Sequence, residues 1–133
     1  MNEITFKVAP AGEGKTKWLL EIAKRYVDEG RAVYLFTDDD KDYSKFCEKY
    51  FNIFKTVCPV ERLTAFKLSS EDIVLVDDLF KHCTSIGDLT FIQRNCYRMF
   101  ITIEGTTTFV ENTKIWDDFY EQLTLDIQEV IRA

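Results

Sequence analysis

The 133-residue chain has no uncharged apolar run approaching the ~20 residues that a membrane-spanning helix needs. Its first residues, MNEITFKV, lack the basic and apolar pattern of a secretory leader. Secretion and membrane insertion are therefore not expected. Histidine is nearly absent: His82 is the single one, next to Cys83. Of the four cysteines, Cys47, Cys58, Cys83 and Cys96, no two lie two to four residues apart. That removes the zinc-knuckle and CxxC redox spacings. Reduced thiols buried in a cytoplasmic protein are the expectation. Basic residues are in the minority, 17 against 23 acidic, for a net charge of −6. A stand-alone nonspecific nucleic-acid binder draws its affinity from neutralising phosphates and does not have this balance. Contact with nucleic acid is expected only within an assembly. Repeats, low-complexity stretches and linkers are also missing, and the length allows one core, so residues 1–133 are expected to form a single domain.

With 46% hydrophobic and 30% charged residues, the composition is that of a folded globular chain. Strand and helix signals alternate along it. Ile4–Ala9 is apolar with a polar interleave and ends at Pro10, as a strand entering a loop does. Lys15–Asp28 carries Leu19, Ile22, Ala23 and Tyr26 at helical spacing, and Gly30 is placed to stop that helix. Ala32–Thr37 is a short apolar run of the buried-strand kind, broken by Asp38, Asp39 and Asp40. Asp42–Phe54 sets Tyr43, Phe46, Cys47, Tyr50, Phe51 and Phe54 on one helical face. Lys55–Ser70 reads as a short strand and a turn around Pro59. Ile73–Val76 is a second buried strand ending in acids, Asp77 and Asp78.

Asp88 is placed to cap a helix over Leu89–Cys96, and Met99–Ile103 reads as a strand. Glu104-Gly105 suits a hairpin turn into Thr106–Val110. A final helix is expected over about Lys114–Ile131, burying Trp116, Phe119, Tyr120, Leu123, Ile127, Val130 and Ile131. Continuous apolar strands separated by helices predict an α/β three-layer sandwich, a mainly parallel central sheet flanked by helices. Ligands of such sheets bind at the carboxyl ends of the strands, where the first loop and both acidic breaks fall.

The stretch Ala9-Pro10-Ala11-Gly12-Glu13-Gly14-Lys15-Thr16 follows a strand and opens a helix. Glycines let such a loop fold around an anion, with successive N–H groups and the helix N-terminus aimed at phosphate oxygens. The pattern Ala-x-x-Gly-x-Gly-Lys-Thr resembles the nucleotide-binding motif of helicases and related P-loop ATPases, with Ala9 where the usual first glycine stands. Ile73-Val74-Leu75-Val76-Asp77-Asp78 is similar to a Walker B strand. The resemblance is therefore to the P-loop NTPase superfamily, within its RecA-like, helicase-like branch, at the size of a pared-down accessory protein of a phage or mobile element.

The resemblance implies a nucleotide, ATP, held by Pro10, Ala11, Gly12, Glu13, Gly14, Lys15, Thr16 and Lys17. Lys15 would reach the β and γ phosphates, and Thr16 and Asp77 would hold Mg2+. Asp78 stands where many hydrolysing relatives carry a glutamate base. Asp38 or Asp39 falls where RecA-like and DnaB-like ATPases place theirs, so Asp39 is the second candidate, each a methylene shorter than the family's residue. Arg62, Arg94 and Arg98 are candidates for the arginine finger that such hydrolysis commonly uses.

A Mg-dependent ATPase that drives or gates a protein partner, or acts as a homo-oligomer, is the leading expectation. A nucleotide-binding interaction module with little hydrolysis is an alternative, since 14% aromatic residues suffice for an interaction face. A small nucleoside or nucleotide kinase is the other, weakened by six arginines without a lid-like cluster.

Overall fold

The computed structural model describes residues 3–10, 12, 14–37, 56–59, 67–77, 86–105, 114, 117, 118, 121 and 127–132. Eight elements are defined: β1 (Glu3–Ala9), α1 (Lys15–Asp28), β2 (Val33–Thr37), β3 (Thr56–Pro59), β4 (Ile73–Val76), α2 (Ile86–Arg94), β5 (Arg98–Glu104) and β6 (Ile127–Arg132). The six strands form one sheet in the order β3-β2-β4-β5-β1-β6, and every neighbouring pair is parallel. This is an α/β fold, as expected. Because all strands run the same way, the segments leaving β1, β2, β4 and β5 emerge along one edge.

The two faces of the sheet differ in their cover. Leu35, Ile73, Leu75 and Phe100 join Leu19, Ile22, Ala23 and Tyr26 of α1 in one core. Trp18 meets Phe100 edge-on at 6.0 Å, and Tyr26 lies 5.8 Å from the same ring. On the other face Ile4, Phe6, Val8, Val74, Val76, Phe36, Met99, Ile101 and Ile103 are fully buried. The connection β1–α1–β2 crosses the sheet in the direction opposite to β4–α2–β5. Right-handed crossovers then carry α1 and α2 over opposite faces. Burial on both sides is why IVLV of β4 reads as an unbroken apolar run.

Helix α1 ends in a Schellman motif. The Gly30 N–H donates to Val27 O at 2.9 Å and the Arg31 N–H to Tyr26 O at 3.0 Å, with Gly30 at φ 85°. Arg31 then lies 3.8 Å over the Tyr97 ring and donates to the Glu71 carbonyl at 2.9 Å. The Tyr97 N–H donates to Asp72 O at 2.7 Å. These contacts tie the amino ends of β2, β4 and β5 together. Arg98 adds an ion pair to Glu3 at 3.0 Å and donates to the Tyr26 hydroxyl at 3.2 Å.

Cys96 is a buried free thiol beside this edge, and burial, reinforced by the negative charge of Asp72, pushes it up to about 12. A raised acid binds its proton more tightly in the folded state. Stability from this group is therefore complete below pH 9.0 and is lost as pH climbs towards 12. The Cys96 thiol should resist alkylation at pH 8 until the chain unfolds; alkylation at Cys96 of the native protein, located by peptide mapping, at the rate of a free cysteine would contradict that burial.

Three expectations need correction. Residues 127–132 form an edge strand on β1, not the end of a helix, and described helical residues in that region are 114, 117, 118 and 121. Ile127, Val130 and Ile131 suit either period, and the open flank of β1 supplies hydrogen bonds that only a strand satisfies. Helix α2 starts at Ile86, so Asp88 is inside it rather than capping it. Glu104 belongs to β5, whose parallel partner β1 sets its length. Pro59 ends edge strand β3, where a missing N–H is tolerated. The helix expected over 42–54 and the second hairpin strand at 106–110 lie outside the described residues. Among the described residues, no helix is long and apolar enough to cross a membrane.

Candidate functional site

The loop between β1 and α1 starts at the carboxyl edge of the sheet. Gly12 and Gly14 adopt φ 82° and 77°, a left-handed backbone that L side chains rarely take. A Cβ at either would meet nothing within 4 Å, so backbone shape alone demands glycine. Gly14 is also the N-cap of α1 and can offer no side-chain oxygen; no side-chain cap is made and no acid stands in the first turn. The helix begins with Lys15, Thr16 and Lys17 instead. The first N–H groups of a helix have no partner within it, and together with the positive end of its dipole they suit an anion.

Lys15 is only 9% exposed. Its ammonium turns back over the loop, donating to the Pro10 carbonyl at 2.9 Å and standing 3.8 Å from Glu104 Oε1. A lysine held this way is already at the loop before any ligand arrives. Thr16 and Lys17 are exposed.

Asp77 follows β4 on the same side of the sheet as Leu75 and α1. Its Oδ1 accepts a hydrogen bond of 2.8 Å from the Thr102 hydroxyl, and its N–H donates to Phe36 O at 2.8 Å. Thr102 is fully buried on β5, the strand between β1 and β4. Alternation along β5 puts Arg98, Phe100, Thr102 and Glu104 on the α1 face, turning from apolar to polar toward the site.

Thr102→Val keeps the volume and removes the donor. About 1.5–3 kcal/mol of stability should be lost, because the half-buried Asp77 carboxylate loses a charge-assisted hydrogen bond. Denaturant unfolding checks this, and a midpoint equal to wild type would show that the contact contributes nothing.

The structure thus brings Pro10, Gly12 and Gly14 of the loop together with Lys15, Thr16 and Lys17 of the first turn of α1, with Lys15 beside Glu104. It holds Asp77 in a fixed orientation two strands from β1. Ala11, Glu13, Asp38, Asp39, Asp78 and Arg62 lie outside the described residues. Arg94 ends α2 and Arg98 starts β5, so both belong to the amino edge. Seven residues of β5 separate that edge from the loop by about 20 Å. Neither arginine reaches the loop of its own chain.

Among the described residues, no three metal-binding side chains converge. A cation at Thr16 and Asp77 would draw much of its oxygen shell from phosphates and water, which magnesium normally does. The donor set fits such an ion only together with a phosphate ligand.

Sequence reasoning missed Thr102 and Glu104. Their signal was the polar alternation within MFITIE, which reading Met99–Ile103 as a strand and Glu104-Gly105 as a turn left unused. A scan against protein-family models finds no match for the chain, and a search of curated proteins finds no significantly similar one.

Proposed function

We propose that the loop after β1 binds the phosphates of ATP with magnesium, and that the chain hydrolyses ATP to drive or gate a protein partner. On this reading the parallel sheet is a P-loop NTPase fold of the RecA-like kind. The observation that carries it is Lys15. A largely buried lysine whose ammonium is held at the Pro10 carbonyl, in a segment with two left-handed glycines and at the start of a helix without a side-chain cap, is an arrangement for an anion with several oxygens.

Residues 10–17 would surround the phosphates, with Lys15 moving from the Pro10 carbonyl to the β and γ oxygens. Thr16 and Asp77 would hold the magnesium ion, which neutralises charge on the transferring group. Asp78 and Asp39 remain the acids that the family resemblance offers for the attacking water. With Arg94 and Arg98 at the far edge, an arginine finger would come from Arg62, a second copy of the chain or a partner. A cytoplasmic setting, where ATP and reduced thiols coexist, fits this function. Nucleic acid would enter only through an assembly.

Calorimetric titration with ATP and GTP, with and without magnesium, tests the reading. Magnesium-dependent binding of ATP is expected. No heat with either nucleotide at millimolar concentration would sink it.

A further inference from the structure

Glu104 is the last residue of β5 and lies directly beside Ala9, from which the loop departs. The Gly105 N–H donates to Ala9 O at 3.0 Å, fastening the two strand ends together. Strand β5 separates β1 from β4, so Glu104 stands between the loop and the acid that follows β4. Its carboxylate is 3.8 Å from the Lys15 ammonium and about half exposed.

We propose that Glu104 orients the attacking water and accepts its proton in the hydrolysis proposed above, on which this inference rests. A lysine that reaches a terminal phosphate brings its own neighbours to that phosphate. At 3.8 Å the carboxylate is in ion-pair range of the ammonium without a hydrogen bond to it, so a phosphate that draws the ammonium comes close to a carboxylate that can accept from a water beside it. Half exposure lets water in, while the strand end fixes the backbone from which the side chain reaches. Glutamate also has the methylene that Asp39 and Asp78 lack. Two residues earlier on the same face, Thr102 holds Asp77, so one strand end orients both the magnesium-side acid and the water-side acid.

In the step itself the water oxygen bonds to the γ phosphorus as the bond from that phosphorus to the β–γ bridging oxygen breaks. The electron pair leaves with ADP. The water proton passes to Glu104 and from there to solvent, which restores the carboxylate. No oxidant or further reactant is required.

Glu104→Gln keeps the shape and removes the proton acceptor. Turnover and ATP affinity are measured separately on the full chain, with thermal melting to establish that the variant folds. The expected result is a fall in kcat of about 100-fold or more. ATP affinity should stay equal or become up to about fivefold tighter, because the amide no longer competes with phosphate for Lys15.

Wild-type kcat with tighter binding would overturn the proposal and leave Glu104 as a counter-ion. A parallel loss of affinity and kcat would overturn it in favour of a role in shaping the loop. A collapse of kcat in Asp78→Asn or Asp39→Asn, with Glu104→Gln at the wild-type rate, would return the role to those acids. Wild-type protein that binds ATP without hydrolysing it overturns this inference and the hydrolysis part of the proposed function, and leaves the nucleotide-binding part standing. Wild-type protein that does not bind ATP overturns the nucleotide reading as well.

Discussion

Lys15→Ala should weaken ATP binding by about 100-fold or more while leaving the melting temperature within a few degrees of wild type. The two halves of this expectation have separate causes. In the free protein Lys15 makes one hydrogen bond to Pro10 and a long ion pair to Glu104, which is half exposed and screened. Against those contacts stands the cost of keeping an ammonium largely out of water. Alanine at the start of a helix loses little, so the fold survives. In the complex the same ammonium would meet two phosphate groups at close range. Charge-assisted contacts of that kind contribute roughly 1.5–3 kcal/mol each, and about 2.7 kcal/mol already corresponds to 100-fold in affinity. Titration calorimetry on Lys15→Ala, with Lys24→Ala as the control on the exposed side of the same helix, decides it. Equal ATP affinity in Lys15→Ala and wild type would remove the phosphate-loop reading.

Phe6→Ala should destabilise the chain by about 3–5 kcal/mol. Phe6 is fully buried at the centre of β1, with Ile101 of β5 beside it and the backbone of β6 on its other flank. Deleting the ring removes its transfer free energy and leaves a cavity in a layer of interlocked side chains that cannot collapse freely. Small domains have only about 5–15 kcal/mol in total, so the variant should sit near the edge of folding. Phe91→Ala, at a ring 52% exposed on α2, should change stability by less than about 0.5 kcal/mol. Unfolding free energies of the two variants, from denaturant titration, that differed by less than about 1 kcal/mol would show that the face opposite α1 is not a packed core.

What the residues disclosed in advance depended on how local the governing force was. The bounds of α1 and its Gly30 stop were legible because a glycine loop and a Schellman turn are written in neighbouring residues. The parallel sheet was legible because strands buried on both faces must be apolar throughout, as AVYLFT and IVLV are. Strand β6 was not legible. Ile127, Val130 and Ile131 satisfy a helical stripe and a strand about equally, and the open flank of β1 that decides between them is more than a hundred residues away in sequence. The loop residues declared themselves through glycine, lysine and threonine at fixed spacing. Thr102 and Glu104 did not, since their meaning comes from the strand order: only when β5 is known to lie between β1 and β4 do they become neighbours of Lys15 and Asp77.

The same strand order governs time as well as space. Strand β1 is made well before its neighbours, which are residues 98–104 and 127–132. At roughly 5–20 residues per second, the first of them follows some 5–20 seconds later. Strands β2 and β4 can meet each other in that interval, but β1 has no partner. A stalled or truncated chain ending before residue 98 would carry the loop sequence without the sheet that shapes it, and an apolar strand with both edges open. Such a fragment is a substrate for chaperones and proteases, which makes the completion of β5 the moment at which Lys15, Glu104 and Asp77 are first held on one sheet.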